Sequence, residues 1–295
     1  MIEILAVLSD VFTLTFVVAS MLALGFGLTV AQIASPLRDV NLVIRALLAN
    51  FVLVPVAAFA LKTLLPIGES YGIGLMLLAT AAGAPFLPKL VQLAKGEVAL
   101  GVGLMVLLMV VTVAYVPIML PLMLPGVSIN PLDIASSLVV LMLLPLAIAL
   151  CIRARYPDAA ALAQPIFAQI ANVGLMGVMA TMLLVNWRTL LQTIGTGAIL
   201  AALLFVVVSF VFGYVVGPSA STRPVLGLGT AQRNVAAAMV VATGNFAADP
   251  NVLVMVLVGS VLMMALLLPG AGELGKRRAP EPPASAPTGP VGESV

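Results

Sequence analysis

The feature that most constrains the fold of this chain is a series of apolar runs, each long enough to be a membrane-spanning helix. Proline, glycine and charged residues divide the sequence into nine such segments, at about residues 9–33, 40–64, 70–94, 97–124, 131–153, 160–186, 193–217, 222–247 and 251–270. A helix needs about 20 apolar residues to cross the hydrocarbon core of a bilayer. Charged residues make up only 8% of the chain, whereas a soluble domain carries roughly 25%. The sequence therefore predicts an all-α polytopic membrane protein with about nine transmembrane helices.

The positive charges are distributed unevenly between the two sets of loops. With nine spans, one set of loops and the C-terminal region hold nine lysines and arginines, and the other set holds only Lys62 and Arg188. Because cytoplasmic loops carry the excess of lysine and arginine, we expect the N-terminus outside and the C-terminus in the cytoplasm of a plasma (inner) membrane protein. Residues 273–295 are rich in proline, alanine and serine, which predicts a disordered cytoplasmic tail.

The residue types that are rare in this chain disfavour several functions. It has no histidine, a single cysteine, Cys151, and eleven acidic residues that all lie at segment ends, in loops or in the tail. An intramembrane enzyme would need acid–base groups or metal ligands, so we predict neither enzymatic activity nor a cofactor. Proton coupling would need a titratable group within the membrane, and the nearest carboxylates, Asp10 and Glu97, are peripheral. A net charge of +2 does not indicate a nucleic-acid partner.

Two of the nine segments are interrupted near their middle. The third carries Gly83, Pro85, Pro88 and Lys89, and the eighth carries two glycines followed by Gln232, Arg233 and Asn234. Each is the second helix of a three-helix block, in segments 2–4 and 7–9. A matching pair of interrupted segments is typical of inverted-repeat transporters with a site near the midplane. The freed backbone groups are tolerated only in protein or along a cavity, so we predict that the two broken helices cross.

The two interrupted segments supply most of the candidate site residues. A charged residue near the bilayer centre costs at least ~2.5–3.5 kcal/mol, so Arg233 should either face the substrate cavity or bind carbonyls freed at the crossing. Lys89 could line the cavity or extend to the cytoplasmic interface. Amides beside a helix start can favour an anion or bond to backbone. The predicted substrate-binding residues are therefore Arg233, Gln232, Asn234, Lys89 and Thr230, with Asn172 of the sixth segment.

Polar residues also lie within three other apolar runs. Asn50 of the second segment is interpreted as a site or crossing contact. Asn172 could face the cavity or make an interhelical hydrogen bond. Thr112 is predicted to bond to its own helix, as buried threonines often do.

Several motifs, in this order along the chain, resemble the bile acid:sodium symporter family over residues 11–270. They are GFGLTV, RALLANFVLVPVAAF, LAKGEVALGV and GLGTAQRNVAAAMVVATGNF. The resemblance implies a transmembrane transporter domain at 1–272, with a panel (about 1–36 and 131–190) beside a core (about 37–130 and 191–272). It also implies transport of an organic anion by alternating access.

The chain differs from the family where relatives bind sodium. The resemblance aligns Leu87 and Pro88 with a Ser–Asn pair of the first crossing, and it aligns Leu228 and Arg233 with a glutamate and an asparagine of the second. Asn50 and Gln232 remain as a reduced sodium site, but an adjacent guanidinium repels a cation by several kcal/mol at an effective dielectric constant of about 20. We therefore expect that Lys89 and Arg233 act as fixed substitutes for the ions and that sodium coupling is weak or lost.

The function expected from the sequence is a secondary transporter of bile-acid-like anions or small carboxylates and sulfonates. Its expected partners are that anion and the lipid bilayer. One alternative is a sodium-coupled symporter that uses Asn50 and Gln232. A second alternative is a non-transporting sensor or scaffold on the carrier fold. The sequence does not identify the substrate, the direction of transport or the oligomeric state.

Overall fold

In the computed structural model, residues 2–34, 38–124 and 131–277 are described. The regular secondary structure of these residues is helical, and a short helix, Val30–Ala34, follows the first long one. The other helices are α1 Ile2–Gly27, α2 Val40–Leu64, α3 Glu69–Thr80, α4 Leu87–Leu93, α5 Val98–Met123, α6 Pro131–Arg155, α7 Pro157–Gln192, α8 Ala198–Val216, α9 Thr222–Ala231, α10 Val235–Asn245 and α11 Pro250–Arg277. Both α2 and α6 contain a π-helical turn, at Ala49–Leu53 and Val139–Leu143.

Among the described residues, seven stretches are long and apolar enough to cross a membrane. They are α2, α5, α6, the first part of α7, α8, the α9–α10 pair and α11. Helix α1 contributes a shorter apolar stretch, Val11–Gly27, and the remaining predicted segment is the interrupted α3–α4 pair. The all-helical, membrane-spanning class is therefore confirmed, while nine crossings and the inverted repeat stay predictions.

Both predicted interruptions are present. The third segment leaves the helix after Thr80 and resumes at Leu87, and the eighth breaks between Ala231 and Val235. Pro88 stands in the first turn of α4, where its missing N–H would have no helical partner in any case. Gly83, in the first break, has φ of +80°, a conformation that favours glycine.

The helix ends differ from the sequence prediction mainly in polar flanks. Helix α1 begins at Ile2 rather than near residue 9, and α11 continues through Glu273 to Arg277, so residues 273–277 are helical rather than part of a disordered tail. The helix limits predicted from the sequence were set where hydropathy decreases. A helix can extend further, because its backbone hydrogen bonds do not depend on apolar side chains. The Glu273 and Arg277 side chains form an exposed ion pair of 3.0 Å across that last turn. The tail prediction for residues 278–295 lies outside the described residues.

The interrupted segments occupy the centre of the helical assembly. All residues from 71 to 80 are buried, and 94% of an 18-residue section of the α9–α10 stretch is buried, compared with 33% of an 18-residue section of α8. Helix α1 packs against α6 and α7, whereas α3 packs against α11 and α9 packs against α8. Outer helices thus shield the two breaks. The division into panel and core domains stays a prediction.

Candidate functional site

The Arg233 side chain lies at the point where the two broken segments meet, and it is 0% exposed. Its Nε donates to the Leu78 carbonyl at 3.0 Å, and its Nη2 donates to the Ala79 carbonyl at 2.6 Å. Its Nη1 donates to the Thr230 carbonyl at 3.0 Å and to Asn50 Oδ1 at 2.7 Å. The guanidinium therefore links α2, α3 and α9.

These contacts follow from the way in which the two helices end. Helix α3 ends at Thr80 and α9 ends at Ala231, so the three bonded carbonyls belong to last turns, where C=O groups lack helical partners. Such helix ends also carry partial negative charge. No carboxylate in the described part of the chain lies within ion-pair distance of Arg233. Helix ends and one amide therefore compensate the buried charge.

Asn50 is engaged by all of its polar side-chain atoms. Its Nδ2 donates to the Ala46 carbonyl at 2.9 Å and to Thr230 Oγ1 at 3.1 Å, and its Oδ1 accepts from Arg233. Asn50 belongs to the π-helical turn of α2, and both it and Thr230 are fully buried. These two predicted site residues are thus parts of the network that holds the guanidinium.

Asn234 joins the first break to the start of α10. Its backbone N–H donates to the Ala81 carbonyl at 2.8 Å, and its Nδ2 donates to the Gly83 carbonyl at 3.0 Å. Its Oδ1 accepts from the Ala237 N–H at 3.1 Å, which is the standard bond of an asparagine N-cap. Asn234 is 0% exposed, so its side chain is committed to the crossing.

Thr112 of α5 satisfies the backbone of the first break. Its Oγ1 donates to the Ala82 carbonyl at 3.1 Å and accepts from the Ala82 N–H at 2.9 Å. The prediction that Thr112 bonds to its own helix was therefore wrong. Buried peptide groups that have left a helix need other partners, and Ala82 finds both of its partners in this one hydroxyl.

A cavity of about 690 Å³ adjoins the crossing. It is lined by residues of α1, α4, α7 and α11, by the two breaks, and by the starts of α5 and α10. Its wall is mostly apolar, and no acidic residue is among the described residues that line it. The polar residues among those that line it are Ser20, Lys89, Gln92, Gln164, Asn172, Gln232, Arg233 and Ser260.

The predicted site residues fall into two groups around this cavity. Lys89 and Asn172 are exposed on its wall, and Lys89 Nζ donates to Gln92 Oε1 at 3.4 Å. Gln232 also borders the cavity, although it is only 5% exposed. Arg233 is among the residues beside the cavity but has no exposed surface. Asn50, Thr230 and Asn234 are not among the described residues that line it.

The comparison with known protein families agrees with the resemblance of the motifs. The sequence model of a family described as the sodium bile acid symporter family matches residues 13–216. The chain belongs to this family. Its members are secondary transporters, so the protein is an integral membrane carrier of a solute. No curated protein matches the chain.

For this member of the sodium bile acid symporter family, the family match covers the first break but not the second. The matched range ends with α8, so the break at 232–234 lies beyond it. Sodium, like other hard cations, seeks carboxylate, carbonyl and hydroxyl oxygens. In this carrier, Asn50 Oδ1 and three carbonyls at the crossing already accept from Arg233. These four oxygens, which could otherwise contribute to a metal site, are bonded to a guanidinium, whereas Gln232 Oε1 is buried without a hydrogen-bond partner among the described residues.

Sequence reasoning missed several polar residues of the cavity, notably Gln92 and Gln164. Gln92 lies one helical turn beyond Lys89. The residues of α7 that line the cavity are 164, 168, 171, 172 and 175, the spacing of a single helical face. Extending that face from Asn172 by helical periodicity would have identified Gln164.

Replacing Gly83 with alanine should destabilise this symporter-family carrier. A Cβ at this position would lie 2.2 Å from the backbone nitrogen of Met109 and 2.6 Å from its Cα, and φ is +80°. Overpacking of this kind costs about 1–3 kcal/mol, measurable as a lower thermal midpoint in detergent. Gly244→Ala is the matched control, because no described atom outside its own helix backbone lies within 4 Å of a Cβ there. Equal midpoints for the two variants would contradict the close approach of α5 to the first break.

Proposed function

We propose that this protein carries organic anions across the membrane by alternating access without coupling to sodium. The observation that carries the proposal is the fixed position of the Arg233 guanidinium. Its four hydrogen bonds include the one to Asn50 Oδ1, and Asn50 is half of the reduced sodium site. A sodium ion at this point would lose that ligand and meet a repulsion of several kcal/mol at an effective dielectric constant of about 20.

The chemistry of the cavity supports an anionic substrate. Lys89 is its exposed cation, and no acidic side chain balances it among the described lining residues. A carboxylate or sulfonate would pair with Lys89, while the amides of Gln232 and Asn172 bind further oxygens. The organic part would pack against the apolar wall. A volume of about 690 Å³ lies within the range of small-molecule sites, so bile-acid-like anions and small carboxylates or sulfonates both fit.

The predicted substrate-binding residues would then have separate roles. Lys89, Gln232 and Asn172 would contact the substrate, because they border the cavity. Arg233, Asn234 and Thr230 would hold the crossing, because their polar groups are bonded to one another, to Asn50 and to the first break. In this proposal Arg233 contributes a positive potential to the cavity without touching the substrate.

The conformation described here would be the inward-facing state. The cavity extends past the C-terminal end of α1, at Leu28, and reaches the first turns of α5 at Val98 and Val102. Both helix ends belong to the side whose loops carry most of the lysine and arginine, which is the cytoplasmic side in the proposed orientation. Movement of the core against the panel would then expose Lys89 and Gln232 to the opposite side.

Counterflow in proteoliposomes tests the proposal directly. Labelled organic anions should exchange against the unlabelled compound at the same rate when choline replaces sodium. Strict dependence on sodium would support the symporter alternative. One observation favours that alternative: Gln232 Oε1 is buried without a hydrogen-bond partner among the described residues, so it could bind a cation. No exchange with any anion would support the sensor or scaffold. Candidate anions can be selected by thermal stabilisation, since a ligand that binds the folded state raises its stability.

A further inference from the structure

We infer that net transport by this protein is electrogenic export, in which each cycle moves the charge of the substrate anion alone. The inference rests on the proposed function, because it takes the substrate to be an organic anion. It adds a driving force and a direction. An inside-negative membrane potential would expel the anion, so the carrier would empty the cytoplasm of its substrate rather than fill it.

The first step concerns cations that could accompany the substrate. At the crossing, the Leu78, Ala79 and Thr230 carbonyls and Asn50 Oδ1 all accept from Arg233. A sodium ion would have to displace a covalently attached guanidinium from its acceptors to gain these ligands. The positive charge that stabilises the crossing is therefore the guanidinium of Arg233, which is covalently attached and cannot dissociate.

The second step concerns protons. Several carboxylates lie at helix ends: Asp39 caps α2, Glu97 precedes α5, and Asp133 and Asp158 stand in the first turns of α6 and α7. Asp10 instead belongs to the interior of α1. None of the described residues that line the cavity is acidic, and histidine is absent from the whole sequence. Among the described lining residues, a proton that moved with the substrate would thus find no carboxylate or imidazole carrier.

The third step concerns the fixed charges themselves. Arg233 is bonded to α2, α3 and α9, and Lys89 belongs to α4, so both cations are attached to the predicted core. Whatever distance they travel in one half of the transport cycle, they travel back in the other half. Over a complete cycle their net displacement is zero, and the charge transferred is the charge of the anion.

The size of the effect follows from electrostatics. One elementary charge that crosses 100 mV changes its free energy by about 2.3 kcal/mol, which is a factor of roughly 50 in concentration. An inside-negative potential of that size would hold a monovalent anion about 50-fold more concentrated outside at equilibrium. One sodium ion or proton moving with a monovalent anion would cancel this dependence.

The test uses the full chain in proteoliposomes, with the membrane potential set by a potassium gradient and valinomycin. The probes are labelled taurocholate and labelled pyruvate, a large sulfonate and a small oxo-carboxylate, together with any monovalent acid found by counterflow. We expect an inside-positive potential of about 100 mV to raise the final inside-to-outside ratio about 50-fold, and the reverse potential to lower it equally. Because an equilibrium ratio is measured, the orientation of the reconstituted protein does not matter.

Protein-free vesicles and vesicles without valinomycin serve as controls. A final ratio that ignores the potential, in vesicles that do perform counterflow, would overturn the inference. A sodium gradient or a pH gradient applied at zero potential would then identify the accompanying ion, because only that gradient would drive accumulation. Failure of every anion to exchange would instead reject the proposed function and the inference with it.

Discussion

Arg233→Met is expected to destabilise the centre of the protein by about 3–5 kcal/mol and to abolish counterflow. The substitution leaves the Leu78, Ala79 and Thr230 carbonyls and Asn50 Oδ1 without their donor. A buried polar group left unsatisfied costs about 1–3 kcal/mol. Part of this loss is offset, because a charge no longer has to be removed from water. Thermal and denaturant unfolding in detergent should therefore show a large decrease in stability, which can be measured independently of transport.

Two control variants separate charge from hydrogen bonding at this position. Arg233→Lys keeps the charge but supplies a single nitrogen, which cannot reproduce the planar fork of a guanidinium, so we expect an intermediate loss of stability. Lys89→Met removes an exposed cation and should leave the midpoint unchanged. If Arg233→Met unfolds at the same temperature as the unchanged protein, the bonds of Arg233 do not hold the crossing together.

The interruptions of the helices could be predicted because their signal is local. Gly83, Pro85 and Pro88 stand close together inside an apolar run, and clustered glycine and proline disfavour a continuous helix. The end of α11 could not be predicted in the same way. Hydropathy decreases at Glu273, but the backbone stays helical to Arg277, because helical hydrogen bonding does not depend on apolar side chains.

The role of Arg233 could not be decided from the sequence, because no sequence pattern marks the groups that accept its hydrogen bonds. Two of the acceptors are the backbone carbonyls of Leu78 and Ala79, which precede it by 155 and 154 residues. A carbonyl belongs to every residue, so no pattern of side chains marks these two. The same reason explains the error at Thr112, whose partner is the backbone of Ala82.

The cavity was predictable in part, because its charged and amide residues interrupt apolar helices. Lys89 and Asn172 were identified for that reason, and both lie on the cavity wall. Gln92 and Gln164 carry the same kind of side chain but stand close to segment ends, where polar residues normally face the lipid headgroups. Only the packing of α4 and α7 shows that these two line the cavity.

In our proposal Arg233 takes the place of a dissociable ion at the crossing, and the geometry there supports this exchange. Helices α3 and α9 direct their C-terminal ends to the same point, and the partial negative charges of two helix ends repel each other unless a cation lies between them. A bound sodium ion can supply that positive charge only while it is bound. Arg233 supplies it permanently, so the core needs no ion to keep its structure in our proposal.

Lys89→Met is expected to reduce transport of a monovalent carboxylate about 10- to 150-fold, because a hydrogen bond to a charged group contributes about 1.5–3 kcal/mol. Lys89 is the exposed cation of the cavity, so the variant removes the group that we propose to pair with the substrate. The loss should appear mainly as a higher half-saturating concentration in counterflow. The folded structure should be unaffected, because the Lys89 side chain has one weak contact, to Gln92 at 3.4 Å.

The comparison that identifies the cause uses both the protein and the substrate. Lys89→Arg keeps the charge and should retain most of the activity, and Lys276→Met removes an exposed lysine at the end of α11, outside the described lining of the cavity, and should have no effect. The neutral amide of the same acid should bind poorly to the unchanged protein and lose little further in Lys89→Met. If the acid and its amide lose affinity equally in Lys89→Met, Lys89 does not pair with the carboxylate. The anion would then be recognised by the amides of Gln232 and Asn172 alone.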